Sequence, residues 1–240
     1  HMTNPTAAML VIGDEILSGR TRDSNMHYLA GELTKVGIRL AEVRVVADET
    51  PAIVGAVNAL RAQYDQVVTS GGIGPTHDDI TAPAIAEAFG VPITLRADAM
   101  ALLQAHYDRQ GLPLNDARQR MARIPDGAVL IDNPVSTAPG FTLGNVHVMA
   151  GVPSIFQAMV ASVLPTLTGG APLLSQSLRV MRGEGEIAAD FGALASEFPD
   201  LQMGSYPFNT NGVYGTNLVI RGTDAGQIDR AMTRLTGLFA

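Results

Sequence analysis

The residues of this chain best suited to chemistry lie in one run, Gly71-Gly72-Ile73-Gly74-Pro75-Thr76-His77-Asp78-Asp79-Ile80-Thr81. Glycines at 71, 72 and 74 let the backbone approach a ligand closely and can turn successive N–H groups inward as an anion nest. A tight turn between a strand and a helix would account for the glycines as well. The run fits neither the G-x-G-x-x-G dinucleotide fingerprint nor the phosphate loop that ends in Gly-Lys-Ser/Thr. Asp78 and Asp79 shift the balance toward a ligand. One of them can simply stabilise the N-terminus of the helix that follows. Two adjacent carboxylates beside a phosphate nest also suit a Mg²⁺-type divalent ion, which takes one or two carboxylates plus phosphate oxygens. Such an ion polarises a phosphoryl group or activates water.

The surrounding pattern must position that run. Residues 66–70 read as a short strand leading directly into Gly71, and Thr81 and Pro83 start a helix with Ile85, Ala88 and Phe89 on one side. Upstream, the apolar run 7–13 reads as a buried strand ending in Gly13-Asp14-Glu15. Ser24 then caps a helix whose face is Met26, Leu29, Ala30 and Leu33, stopped by Gly37. Residues 42–47 return as a strand to Asp48-Glu49. Thr50 and Pro51 open the next helix at N-cap and N1, with Ile53, Ala56, Val57 and Leu60 as its stripe. Repeated strand–helix alternation predicts an α/β fold, a mostly parallel sheet with helices on both faces in three layers. Ligands of such sheets bind outside the carboxyl ends of the strands. Gly13-Asp14-Glu15, Asp48-Glu49 and the glycine run are therefore expected on one rim.

Further on, residues 98–110 and 115–123 read as helices, and 129–131 and 146–149 as strands flanking a loop over 133–140. Pro153 starts a helix with Phe156, Met159, Val160 and Val163 in register. A Gly- and Pro-rich linker at 168–173 separates a small α+β unit. The expected domains are 5–167 and 175–240.

Composition narrows the partners. The 240 residues are 46% hydrophobic and 16% charged, enough to bury a core and too apolar for a disordered chain. A net charge of −7 argues against nucleic acid as a partner, yet backbone N–H groups bind phosphate without net positive charge. The absence of cysteine excludes disulfides and thiolate metal sites. No run approaches the ~20 apolar residues that span a bilayer, so a cytoplasmic location without membrane contact is expected. His1-Met2 reads as the scar of a cleaved tag.

The stretch from Gly71 to Thr81 resembles the signature of the molybdopterin-binding domain of the MogA, MoaB, MoeA and CinA proteins. Gly13-Asp14-Glu15-Ile16-Leu17-Ser18-Gly19 with Asp23-Ser24-Asn25, Asn133-Pro134-Val135-Ser136-Thr137-Ala138-Pro139-Gly140-Phe141 and Gly151-Val152-Pro153-Ser154 resemble the CinA N-terminal form in particular. The motifs run in order over residues 8–165, and the tail after 170 fits the small domain that follows in CinA-like proteins. The resemblance implies a ligand that is molybdopterin or an adenine nucleotide, and a homo-oligomer. It also implies metal-dependent cleavage of ADP-ribose, a link to FAD synthetases, or adenylyl transfer to molybdopterin.

Carried over by position, Asp79 matches the functional aspartate of the glycine motif and Asp48 the acid at the end of the second strand, so both are expected to be catalytic. Asp78 and Asp79 are the expected metal ligands. Gly71, Gly72 and Gly74 would form the phosphate loop, with Ser70, Pro75 and Thr76 beside it. Gly13, Asp14, Glu15 and Asn25 are expected to reach the ligand from the first loop and the first helix N-terminus. Asn133, Thr137, Ala138, Pro139 and Gly140 would do so from the long loop, and Gly151, Val152 and Pro153 from the last.

Three departures from the family pattern stand out: Ser136 replaces a usual Gly, Ala150 a usual Pro, and Ile155-Phe156 a usual Glu-Met. A missing acid at 155 would remove a metal or substrate contact. The expected function is divalent-metal-dependent hydrolysis of the pyrophosphate bond in ADP-ribose or a similar dinucleotide. The alternatives are a non-catalytic nucleotide or pterin module and a molybdopterin adenylyltransferase. His77 is a loop histidine that reads as exposed, and the methionines at helical spacing, Met26 and Met159 among them, read as core.

Overall fold

The computed structural model describes residues 3–239; His1 and Met2, read above as a tag scar, lie outside them. The chain divides into two compact units, 1–170 and 171–240.

In the first unit, β1 (Thr6–Ile12), β2 (Arg39–Val46), β3 (Gln66–Ser70) and β8 (Val146–Met149) run parallel, in the order β2-β1-β3-β8. Two antiparallel strands, β7 (Gly140–Leu143) and β6 (Val129–Ile131), extend the sheet beyond β8. A separate ribbon pairs β4 (Ile93–Leu95) with β5 (Arg123–Pro125). The central strand β1 is buried from Ala7 to Ile12, as expected where both faces of a parallel sheet are covered. On one face Ala8, Leu10 and Ile12 pack with α3 (Thr50–Gln63), α4 (Thr81–Phe89) and α5 (Ala97–Gln110). On the other, Ala7, Met9 and Val11 pack with α2 (Asn25–Lys35) and α7 (Pro153–Val163). The period-2 alternation of strand side chains thus divides one strand between two cores, and the result is the expected three-layer α/β fold. Two one-turn helices, α1 (Asp14–Leu17) and α6 (Asp116–Gln119), lie in the connections.

The second unit is an antiparallel sheet in the order β10-β11-β9, formed by β9 (Leu174–Val180), β10 (Gln202–Thr210) and β11 (Val213–Gly222). It carries α8 (Glu184–Glu197) and α9 (Ala225–Phe239). Ile187, Phe191 and Leu194 of α8 and Ile228, Leu235 and Phe239 of α9 pack on Leu218 and Ile220.

Several local expectations are corrected. The side chain of Ser24 caps nothing; the Asp23 carboxylate instead accepts from the Met26 amide at 3.0 Å. Met26 is exposed, and the buried start of α2 is Asn25. Met159, by contrast, is fully buried. Helix α3 begins one residue earlier than the Thr-Pro signal suggests, with Glu49 at the cap and Thr50 already helical. The region 133–149 holds an extra strand, β7, that pairs with both of its neighbours.

His147 ties three strands together. It lies on β8, and its Nε2 donates to Gln66 Oε1 of β3 at 2.7 Å while its Nδ1 meets the Thr142 hydroxyl of β7 at 2.8 Å. Both bonds suit a neutral ring, and burial lowers its pKa from 6.5 to about 4. The unfolded chain binds the proton at the ordinary value, so this group's contribution is complete above pH 6.5 and is lost as pH falls toward 4. Chemical denaturation across that window should show stability falling with acidification. A His147→Gln variant should flatten that slope even where it lowers stability overall.

Candidate functional site

The carboxyl ends of β1, β2, β3, β6 and β8 bring the expected loops onto one rim. They meet at Gly71. Its φ is +101°, and a Cβ there would lie 2.2 Å from the Ile12 carbonyl oxygen, so only glycine lets the end of β3 lie against the end of β1. The loop after β8 closes in from the other side, where a Cβ on Gly151 would lie 3.2 Å from the Gly71 Cα. The Gly71 amide donates to Met149 O at 3.1 Å and the Gly13 amide to Val46 O at 3.1 Å.

Gly72, with φ +74°, turns the chain toward α4. Thr81 holds the turn: its hydroxyl donates to Gly71 O at 2.9 Å and its amide to Gly72 O at 3.0 Å. Among the described residues, the amides of Gly72, Ile73 and Gly74 donate to no group of the chain. Three successive donors are thus left free on the rim, as an anion nest requires.

Thr76 organises the acids. Its amide and hydroxyl lie 2.9 and 2.7 Å from Asp79 Oδ2, and the hydroxyl also lies 2.5 Å from Asp78 Oδ1. The hydrogen bond from Thr76 holds the exposed Asp78 carboxyl below the usual range. Across the rim, Asp14 and Asp48 clamp each other's backbones. Asp48 Oδ2 accepts from the Asp14 amide at 2.9 Å, and Asp14 Oδ1 accepts from the Asp48 amide at 3.2 Å. Burial raises the Asp48 pKa, and the charges of Asp14, Glu15 and Asp78 add to the rise. These carboxylates therefore feel one another. Among the described residues, no group of three or more His, Asp or Glu side chains forms a ready-made metal cage.

The long loop is shaped from within. Asn133 is buried and its side chain is fully occupied. Its nitrogen donates to Ser136 Oγ and Ala138 O, and its oxygen accepts from the amides of Val135 and Ser136. This residue, expected at the ligand, folds the loop from within. Ser136, in place of the usual Gly, accepts one of those bonds. Thr137 has φ +72°, a strained value for a β-branched residue, and its hydroxyl is paired to His106 Nδ1 at 3.0 Å. Pro139 and Gly140 are buried and Ala138 half-buried where the loop enters β7. Asn25 fastens α2 to the last loop: its nitrogen donates to Gly151 O at 2.9 Å, while its buried Oδ1 has no partner in the chain. Val152 and Pro153 are exposed, Pro153 opening α7. Phe156 is fully buried and Ile155 packs beside it against the second core, so the apolar pair that replaces Glu-Met serves packing.

Residues 8–169 match the model of the probable molybdopterin binding domain. The chain belongs to that family. It is a CinA-like member: CinA of Thermoplasma acidophilum, a protein of unknown function, superposes with a TM-score of 0.63 at 32% identity, over 69% of this chain and 99% of that one. A CinA-like protein of Citrifermentans bemidjiense is 40% identical over 167 residues, 68% of this chain and 40% of its own length. Residues 172–240 match the middle domain of FAD synthase. A probable FAD synthase of Caenorhabditis elegans is 31% identical over 260 residues, covering 98% of this chain and half of its own length.

On this CinA-like rim the structure gathers the glycine run, Asp14, Asp48, Asp78 and the loops at 133–140 and 151–153. Ser70 is buried at the end of β3 and His77 is exposed. Two residues escaped the sequence reading, Arg120 and Arg123. Arg123 Nη2 donates to Asp79 O at 3.0 Å, and Arg120 Nη2 lies 3.4 Å from the same oxygen. They follow a short helix in a segment without a motif, and no spacing rule points from them to residue 79.

Two outcomes follow from this geometry. Gly72→Ala should cost about 1–3 kcal/mol in chemical denaturation, because its Cβ would lie 2.0 Å from Thr81 Oγ1. Adding Thr81→Ala should relieve the clash but leave the cost of the positive φ. Asp48 carries a raised pKa, so the native state binds its proton more tightly than the unfolded chain, and the penalty it imposes at neutral pH is relieved as pH falls through the carboxylate range. Asp48→Asn should remove that part of the pH dependence, since an amide oxygen still accepts from Asp14.

Proposed function

We infer that the rim binds a phosphorylated nucleotide or pterin and hydrolyses a pyrophosphate bond, with ADP-ribose or a similar dinucleotide as substrate and a divalent ion as cofactor. The free amides of Gly72, Ile73 and Gly74, directly beside clustered carboxylates, carry this reading. Backbone donors at such a turn recognise phosphate whatever the attached base.

The carboxylates fit a hard cation through their chemistry: all are oxygen donors, and the charges of Asp14, Glu15 and Asp78 add to the rise in the Asp48 pKa. Asp78 and Asp79 would hold the ion, with Asp48 across the rim, and the lack of a closed cage suits an ion that completes its shell with phosphate oxygens. When bound, the ion would neutralise charge developing on the phosphoryl group. The glycine loop would orient the phosphates, and Thr76 would keep Asp78 and Asp79 turned toward them. Water would form the new P–O bond while the bridging P–O bond breaks, giving AMP and ribose 5-phosphate from ADP-ribose. A homo-oligomer in the cytoplasm belongs to the same reading; light scattering checks the oligomer. No helix among the described residues is long and apolar enough to cross a membrane.

A second reading, a binding module without turnover, is favoured by the apolar packing of Ile155-Phe156 and by the Thr76 bonds that already occupy Asp78 and Asp79. Incubation of ADP-ribose with the chain and Mg²⁺ separates the two. The hydrolase reading predicts monophosphates on chromatography and a loss of roughly a hundredfold or more in turnover for a folded Asp79→Asn variant. Tight binding with no cleavage under several divalent ions would select the module, and wild-type-like turnover in Asp79→Asn would remove Asp79 from the mechanism.

A further inference from the structure

On the far side of the glycine run from the Asp14–Asp48 clamp lies a cavity of about 10 Å³, room for a single water-sized group. Gly72, Ile73 and Gly74 form one wall and Arg120 and Arg123 another, while Met121, Ile124 and Phe141 supply apolar lining. No carboxylate lines it. Burial lowers the Arg123 pKa, the neighbouring Arg120 charge adds to the fall, and the Asp79 charge acts against it.

Neither arginine has an ion-pair partner among the described residues. Their recorded bonds run to backbone oxygens: both reach Asp79 O, and Arg123 Nε donates to Arg120 O at 3.3 Å. Arg120 Nε is buried and has no acceptor at all. A half-buried pair of like charges, with an orphaned donor between them, is costly unless an acceptor arrives. The neighbouring wall is built from the residues whose amides are free, so unpartnered donors gather around this cavity.

We propose that Arg120 and Arg123 form, with the Gly72–Gly74 backbone, an oxyanion subsite that takes one oxygen of a phosphoryl group. This rests on the reading of the rim as a phosphate site and adds its cationic half. Asp14, Asp48 and Asp78 gather beside the glycine run, and the Asp79 charge acts on Arg123, so a phosphoryl group seated there meets acidic and cationic groups together. An arginine fork pairs with carboxylate and phosphoryl oxygens alike, so the phosphoryl group is chosen on the reading of the rim as a phosphate site. Because the same guanidiniums hold Asp79 O, a filled subsite would also steady the loop that bears Asp78 and Asp79.

The test is calorimetric titration of the full chain with inorganic pyrophosphate and with ADP-ribose, each at several salt concentrations. Wild type is compared with Arg120→Gln, Arg123→Gln and Arg120→Lys. Arg120→Gln should weaken both ligands roughly tenfold to a hundredfold and make the salt dependence of binding shallower, with Arg120→Lys recovering part of the loss. Arg123→Gln can unseat the Asp79 loop; if its melting temperature falls, Arg120→Gln decides, since that residue's bond to Asp79 O is the longer. Unchanged affinity and salt dependence in Arg120→Gln would overturn the subsite, leave the orphaned Nε to a water, and leave the rim reading standing. If the wild-type chain binds neither pyrophosphate nor ADP-ribose, the rim reading fails and the subsite fails with it.

Discussion

The site depends on one contact, the approach of Gly71 to the end of β1. With no side chain on Gly71, the backbone of β3 reaches the Ile12 carbonyl, and Gly151 can lie against Gly71 from the opposite side. The loops after β1, β3 and β8 are thereby drawn into a space that a methyl group at 71 would deny them. Gly72 then bends the chain into α4 and leaves successive amides without acceptors. Everything proposed for the rim follows from a backbone held open at one point and closed at the next.

Charge organises the rest. The chain is acidic overall, and its rim gathers Asp14, Asp48 and Asp78, yet the cavity behind the glycine run is lined by arginine. Asp79 stands at the junction. Its carboxylate is bound by Thr76 and its carbonyl by Arg123, so one residue couples the acidic and basic sides. A ligand that is anionic in its phosphates and arrives with a cation would answer both demands, whereas a neutral ligand would answer neither.

Much of this was legible in the sequence because local signals and tertiary demands agree. The Ile53, Ala56, Val57 and Leu60 stripe, the run from β3 into Gly71 and the helix from Pro153 all place apolar residues with the period of the element they form. The misses occur where the decisive partner is distant. Gly140–Leu143 becomes a strand by pairing on both edges, which no local pattern announces. Met26 sits at a core-like spacing but faces out, while the polar Asn25 is buried by its bond to a carbonyl more than a hundred residues away. Asn133 was legible as important, but its loop-building role requires knowing that all its hydrogen-bonding positions are filled nearby. Arg120 and Arg123 matter only because the fold brings them to the Asp79 carbonyl and the glycine run from some forty residues away.

The role proposed for the glycine run of this CinA-like chain is phosphate binding. A crystal structure of the full chain grown with ADP-ribose tests it most directly. A phosphoryl group is expected within hydrogen-bonding reach of the Gly72, Ile73 and Gly74 amides. A pyrophosphate bound elsewhere on the chain, with those amides facing only solvent, would contradict it.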